Sequence, residues 1–345
     1  MRYEAITIKD IAKALNLSIS TVSKALRDSH EISEETKRAV NAYAEAHHYK
    51  PNPIAQSLKR GLSKSIGVIV CNIDNNFFSQ VINGIESVAY SQDYNVTITQ
   101  SHESCEREVM NVQHLSSRSI DGLIVSLSAE TTQVDHFKKL HAKGLPIVFF
   151  DRVTDEIDTH TIISNNYKGA YEATHHLIGQ GFRRIATITS PNSLSITRER
   201  LEGYKKALAD HGLPIDGRYI KYCRHGGMIP EETEYALREL LDMPNRPDAI
   251  FTASDRLSTT SFSLLKQMRI DIPGQIALIG FTNSASAHIF NPPFSAVVQP
   301  AFEMGKQATE LLIGLIESKR PVTKFEKRVL DNEVIIRESS LRSRF

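Results

Sequence analysis

No run of 18 or more apolar residues occurs in the 345-residue chain, so no segment has the length and character of a membrane-spanning helix. Residues 1–20 carry Glu4, Lys9, Asp10 and Lys13 where a secretory leader needs an apolar stretch, which argues against export and for a cytoplasmic protein. Cysteine is scarce. Cys71, Cys105 and Cys223 are odd in number and far apart, which fits a reducing compartment and offers neither a disulfide framework nor a zinc pattern.

Catalytic signatures are also missing. The stretch after the first strand-like run reads IGVIVCNIDNNFF, without G-x-G-x-x-G, and no G-x-x-x-x-G-K-[ST], G-x-S-x-G or H-E-x-x-H occurs. The histidine pairs 47–48 and 175–176 are adjacent residues on helical stretches, so they point to different faces and make poor metal pairs. No catalytic residue, metal or cofactor is expected, and an enzyme is disfavoured.

What is present is ordinary globular composition, 41% hydrophobic and 23% charged, over a length that predicts two or three compact units. A net charge of +1 hides an asymmetry. Residues 1–64 hold 11 Lys+Arg and 7 Asp+Glu, a balance of +4, whereas the remainder holds 30 and 33, a balance of −3. A small basic head on a mildly acidic body suggests a polyanionic partner for the head.

In ITIKDIAKALNLSISTVSKALRD, Thr7 can cap a helix whose apolar residues Ile8, Ile11, Ala12 and Leu15 follow the i, i+3, i+4, i+7 spacing. Asn16 suits the left-handed residue that ends it. Ser18 or Ser20 can cap a second short helix buried through Val22, Ala25 and Leu26. Ser33 caps a third, with Glu34 and Glu35 in its first turn and Val40, Tyr43 and Ala44 inward. Two short helices joined by a tight turn and closed by a third describe a helix-turn-helix unit. Its second helix would present Ile19, Ser20, Ser23 and Lys24 outward, with Arg27 at the far end. On pattern alone, a DNA reader and an exposed helix of an interaction module are about equally supported.

From Ser65 onward, apolar runs such as IGVIV, DGLIVSL, LPIVFF, RIATITS, DAIFTAS and IALIGF alternate with helical stretches. That alternation predicts βαβ units and parallel sheets. Two similar halves, the second opening near residues 175–189, predict two doubly wound lobes with a cleft between them.

The words TIKDIAKALNLSISTVSKAL, ISEETKRAV and YKPNPIAQSL, then NNFFSQVINGIE, LPIVFFDR, RERLEGYKKAL, PDAIFTASD and IPGQIALIGF, resemble the lactose-repressor (LacI/GalR) family over nearly the whole chain. The resemblance implies an α/β protein: an all-α helix-turn-helix headpiece at 1–50, a hinge helix or linker at 51–63, and a two-lobed domain at 64–345. That domain has the fold of periplasmic sugar-binding proteins (type I). The first lobe is expected at about 64–162 and 293–324, the second at about 163–292 and 325–340. Crossings between lobes are expected near 160–165, 290–295 and 322–330.

By the same match, Ile19, Ser20 and Lys24 hold base-reading positions. Thr7, Ser18, Thr21, Ser23, Ser33 and Thr36 cap helices or touch phosphates. Arg27, Tyr49, Asn52, Ala55, Gln56 and Lys59 join the DNA-binding set. Leu58 matches the position that wedges into the minor groove. Asn52 can cap a hinge helix, Pro53 suits its first position and Gly61 its end. So short a helix is marginal alone, and the segment is expected to order on DNA.

For the effector, the match points to Phe77, Phe78, Ser126 and Asp151 in the first lobe, and to Arg200, Ser254, Asp255, Phe281 and Thr282 in the second. Asp151 and Arg200 are expected to bracket a polyol, with Phe78 or Phe281 stacking on a sugar face. Many relatives place an aspartate after IALIG, where this chain reads FTNSAS.

The expectation is a ligand-responsive transcriptional repressor, a homodimer on a palindromic double-stranded operator, with a carbohydrate effector and no membrane role. A dimer is favoured because the chain ends at IIRESSLRSRF without the heptad helix through which some members tetramerise. The alternative is a transport-type sugar-binding protein with no DNA role.

Overall fold

Thr7 starts the first helix by a reciprocal cap. Its Oγ1 accepts from the Asp10 N–H at 3.4 Å, while the Asp10 carboxylate accepts from the Thr7 N–H at 2.8 Å. Helix α1 (Ile8–Ala14) ends before Asn16, whose φ of 51° turns the chain. Ser18, rather than Ser20, caps α2 (Ile19–Ala25) by accepting from Thr21 N–H at 3.0 Å. Ser33 caps α3 (Glu34–Ala46) in the same way. Ile11, Ala12, Val22, Ala25, Val40 and Ala44 form the small core.

The computed structural model describes residues 6–49 and 62–342. They divide into two units, Met1–Ser63 and Lys64–Phe345.

The second unit holds two six-stranded sheets. The first contains β1 (Ser65–Val70), β2 (Asn95–Gln100), β3 (Gly122–Val125), β4 (Ile147–Phe150), β5 (Thr161–Ser164) and β11 (Lys327–Leu330). Its order is β11-β5-β4-β3-β1-β2 and every pairing is parallel. The second contains β6 (Ile185–Thr189), β7 (Ile220–Tyr222), β8 (Ala249–Thr252), β9 (Ala277–Phe281), β10 (Ser295–Val298) and β12 (Glu333–Ile335). Its order is β12-β10-β9-β8-β6-β7, with only β12 antiparallel to its neighbour. The central strands are buried apart from Ser65 at the start of β1, as parallel strands covered on both faces must be.

Each lobe has one especially close helix pair. In lobe 1, α4 (Asn76–Ser91) lies against α11 (Ala301–Glu317). A Cβ on Gly84 would sit 2.0 Å from the Phe302 carbonyl oxygen, and one on Gly305 would sit 2.0 Å from that of Val81. In lobe 2, α7 (Asn166–Gly179) meets α8 (Ser195–Asp210) at Gly203, where a Cβ would come within 2.2 Å of the Tyr167 carbonyl. Between these lie α5 (Cys105–Ser117), α6 (Asp135–His141), α9 (Pro230–Leu241) and α10 (Asp255–Gln267).

The first crossing falls within the expected 160–165, and the lobe boundaries differ from the sequence expectation at the other two. β5 keeps the chain in lobe 1 to Ser164. β10 pairs with β9 through Ala296↔Gly280, so lobe 2 continues to Val298 and the second crossing falls at Gln299–Pro300 rather than 290–295. β11 pairs with β5 through Val329↔Ile163, which holds lobe 1 to Leu330. A strand's own side chains do not say which of two sheets it joins. Only the neighbouring strand's register assigns it.

Candidate functional site

The outward face of α2 begins with Ile19, 46% exposed, followed by exposed Ser20. Lys24 forms an ion pair with Glu31, and this holds the Glu31 carboxyl below its ordinary value. Arg27 folds back on Ser23, donating from Nε to its carbonyl at 2.9 Å and from Nη2 to its Oγ at 2.8 Å. Thr21 and Thr36 share their hydroxyls with the capping Ser18 and Ser33. Tyr49 packs partly buried against the head core. The face is therefore solvated, with its cations held only by exposed partners that a phosphate can replace. Asn52, Ala55, Gln56, Leu58 and Lys59 lie outside the described residues.

At the C-terminal ends of the strands of the second unit, polar groups are buried without partners. Asp151 follows β4 in a left-handed conformation (φ 56°) and is only 4% exposed. Its N–H donates to the Ile162 carbonyl at 2.9 Å, but Oδ1 accepts nothing. Burial pushes its carboxyl up from the ordinary range, against the opposing charges of Arg200 and Arg152. Ser126, after β3, is fully buried with an unpartnered Oγ. Thr189 Oγ1, at the end of β6, is unpartnered too.

Arg200 comes from lobe 2 and is 2% exposed. Its Nε donates to Asn166 Oδ1 at 2.8 Å, its Nη1 donates to the Ala253 carbonyl at 2.6 Å, and its guanidinium lies 3.8 Å over the Phe281 ring. Among the described residues no carboxylate stands within ion-pair distance, and burial pushes it down to about 10 while the charge of Asp151 opposes that fall. A buried cation with free N–H groups thus shares its field with a buried carboxylate that has a free oxygen. A neutral molecule bearing both donors and acceptors would satisfy both.

The rest of the cleft edge is a network. Ser254 caps α10, its Oγ accepting from Leu257 N–H at 3.3 Å. Asp255 Oδ1 accepts from Thr282 Oγ1 at 2.5 Å and from Asn283 N–H at 3.1 Å. Asn283 then crosses the cleft: its Nδ2 donates to Gln80 Oε1 at 2.9 Å, and Gln80 Nε2 donates to the Asn283 carbonyl at 3.0 Å. Arg256 pairs with Asp74 across the same gap.

The structure therefore brings Ser126, Asp151, Arg200, Ser254, Asp255 and Thr282 to the cleft edge. The phenylalanines differ from the ligand-stacking expectation. Phe77 and Phe78 are buried in the lobe 1 core, Phe78 edge-on to Phe150, and one face of Phe281 is covered by the Arg200 guanidinium. Sequence reasoning does not single out Asn166 or Gln80. Their only signal is tertiary, since each is an ordinary amide until its partner from another segment is placed.

Two family models match the chain: "Bacterial regulatory proteins, lacI family" over residues 7–52, and "Periplasmic binding proteins and sugar binding domain of LacI family" over 63–333. The ribose operon repressor of Haemophilus influenzae is 31% identical over 336 residues, covering 96% of this chain and 98% of that one. This chain belongs to the LacI family. It is a ligand-responsive transcriptional regulator with a DNA-binding head and an effector-binding body. A LacI-family regulator from Enterococcus faecium with bound ribose matches at 26% identity with a TM-score of 0.70, covering 81% of this chain and all of that one. The lac repressor dimer bound to operator and an anti-inducer superposes with a TM-score of 0.82 at 22% identity. It covers 98% of this chain and 100% of its own, a likeness of fold.

Among the described residues of this LacI-family chain, no group of three or more His, Cys, Asp or Glu side chains is placed to hold a metal ion. No described helix is long and apolar enough to cross a membrane.

Proposed function

We propose that this LacI-family chain is a cytoplasmic, homodimeric repressor, acting by binding rather than catalysis, whose operator affinity is set by a sugar or sugar derivative held between the two lobes. The observation that carries the effector class is that Asp151 and Arg200 are both buried, oppositely charged, incompletely hydrogen-bonded and not ion-paired to each other. A polyol supplies hydroxyl hydrogens to the one and hydroxyl oxygens to the other without adding charge. The ribose bound to the E. faecium relative supports the same class. Ser126, Ser254, Asp255 and Thr282 complete the proposed site.

The head at 1–50 reads half-sites of a palindrome through Ile19, Ser20 and Lys24, because a two-fold protein meets two-fold DNA. The segment 51–63 transmits lobe closure to DNA, with Leu58 as the wedge. Exposed Ile98 on edge strand β2 and Tyr222 on edge strand β7 give each lobe an apolar border suited to a second copy.

A thermal-shift screen of the purified chain against pentoses, hexoses, disaccharides, sugar phosphates and nucleobases tests the effector. A carbohydrate that raises Tm and changes affinity for an operator selected from random DNA is the expected result. A shift with nucleobases alone overturns the sugar class. Leu58→Ala is expected to weaken operator binding sharply and leave effector binding unchanged.

A further inference from the structure

Because every pairing in the first sheet is parallel, all its strands begin on one edge, opposite the cleft. Lys64, the first residue of the body, lies on that starting edge, where its Nζ meets Glu317 Oε1 at 2.8 Å. Directly beyond Glu317 the chain runs exposed from Ser318 to Lys327 and forms one wall of a groove of about 420 Å³. The other wall is the end of α6 and the turn into β4, from His141 to Pro146. The floor is apolar, through Leu145, Pro146, Leu315 and Val322.

The rim is cationic. Lys319 and Arg320 line the groove, Lys143 and Lys324 are the chain neighbours of its lining residues Gly144 and Phe325, and none of the four has a carboxylate within 4.0 Å among the described residues. Glu317 is engaged with Lys64, Glu156 with Lys138, and Glu326 with Arg328. This concentration of positive charge stands on a body whose balance beyond residue 64 is −3. An unneutralised cationic rim is the electrostatic footprint of a polyanion.

We propose that this groove binds the phosphate backbone of duplex DNA, giving the body a sequence-independent hold on DNA additional to that of the head. The inference rests on the DNA-binding reading of the chain. Duplex DNA is favoured over an acidic protein because the groove opens on the edge where the chain arrives from the DNA-binding head.

The test measures binding of the full chain to a random-sequence 30-bp duplex by fluorescence anisotropy across a KCl series. Lys319→Ala/Arg320→Ala/Lys324→Ala removes exposed charges, so unchanged Tm is expected. The slope of log K against log [KCl] should become shallower by roughly 0.9 for each phosphate that the variant no longer neutralises. A control carrying Lys205→Ala/Arg246→Ala/Lys266→Ala removes the same charge from lobe 2 and should keep the wild-type slope. An unchanged slope in the groove variant, as an acidic protein partner would give, overturns the proposal. An equally shallow slope in both variants assigns the effect to overall charge and also overturns it. If the wild-type chain shows no salt-dependent DNA binding, the DNA reading itself fails and takes this inference with it.

Discussion

The reading helix of the head and the cleft of the body hold their polar groups in opposite ways. On and just after α2 the cations reach solvent and are already paired with neighbours, Lys24 with Glu31 and Arg27 with Ser23. In the cleft, Asp151, Ser126 and Arg200 are buried and left incomplete. Exposed pairs exchange partners at little cost, which suits a surface that slides over many DNA sequences before finding one. Buried incomplete groups carry a desolvation penalty that only a matching ligand relieves, which suits a sensor that must discriminate.

The contrast breaks most sharply at Arg200. Arg200→Met removes charge-assisted hydrogen bonds worth about 1.5–3 kcal/mol each. Effector affinity, read by calorimetry with the sugar identified in the screen, should fall at least about 100-fold while DNA binding by the head persists.

Asp151 sharpens it through pH. Its folded-state carboxyl is raised, so the folded chain binds a proton more readily than the unfolded one. This group's contribution therefore favours folding at low pH and is lost as pH rises from the ordinary carboxylate value through the raised one. Effector hydroxyls bond to the ionised form, so effector affinity should drop as pH falls through the raised value. Asp151→Asn should flatten that dependence and weaken binding by roughly tenfold. Calorimetric titrations at several pH values between 5 and 8 check both.

A smaller effect with two signs is expected at Ser126. An unsatisfied buried hydroxyl costs about 1–3 kcal/mol, so Ser126→Ala should raise the Tm of the ligand-free chain and lower effector affinity several-fold. A fall in Tm would show that the hydroxyl already has a partner. The smallest effect belongs to the head: Glu31→Gln frees Lys24 and should tighten DNA binding by about twofold to fivefold, with the gain shrinking at high salt.

Much of this protein is legible in order along the chain. Thr7, Ser18 and Ser33 announce their helices because a cap is a local event, completed within three residues. The long buried runs at β1, β6 and β9 announce strands because their burial on both faces leaves a continuous apolar signature. Which lobe the crossing strands β5, β10 and β11 join is not so announced, being defined by partners more than 10 residues away.

For the cleft, the sequence alone determined which residue types stand at the ends of strands, and thereby the class of chemistry. Tertiary structure decided which of them are available. It buried Phe77 and Phe78 in the core, laid Arg200 across one face of Phe281, and left Asp151 and Ser126 without partners. The reason is physical: identity and local propensity are written residue by residue, whereas whether a polar group is satisfied depends on which distant segment packs against it.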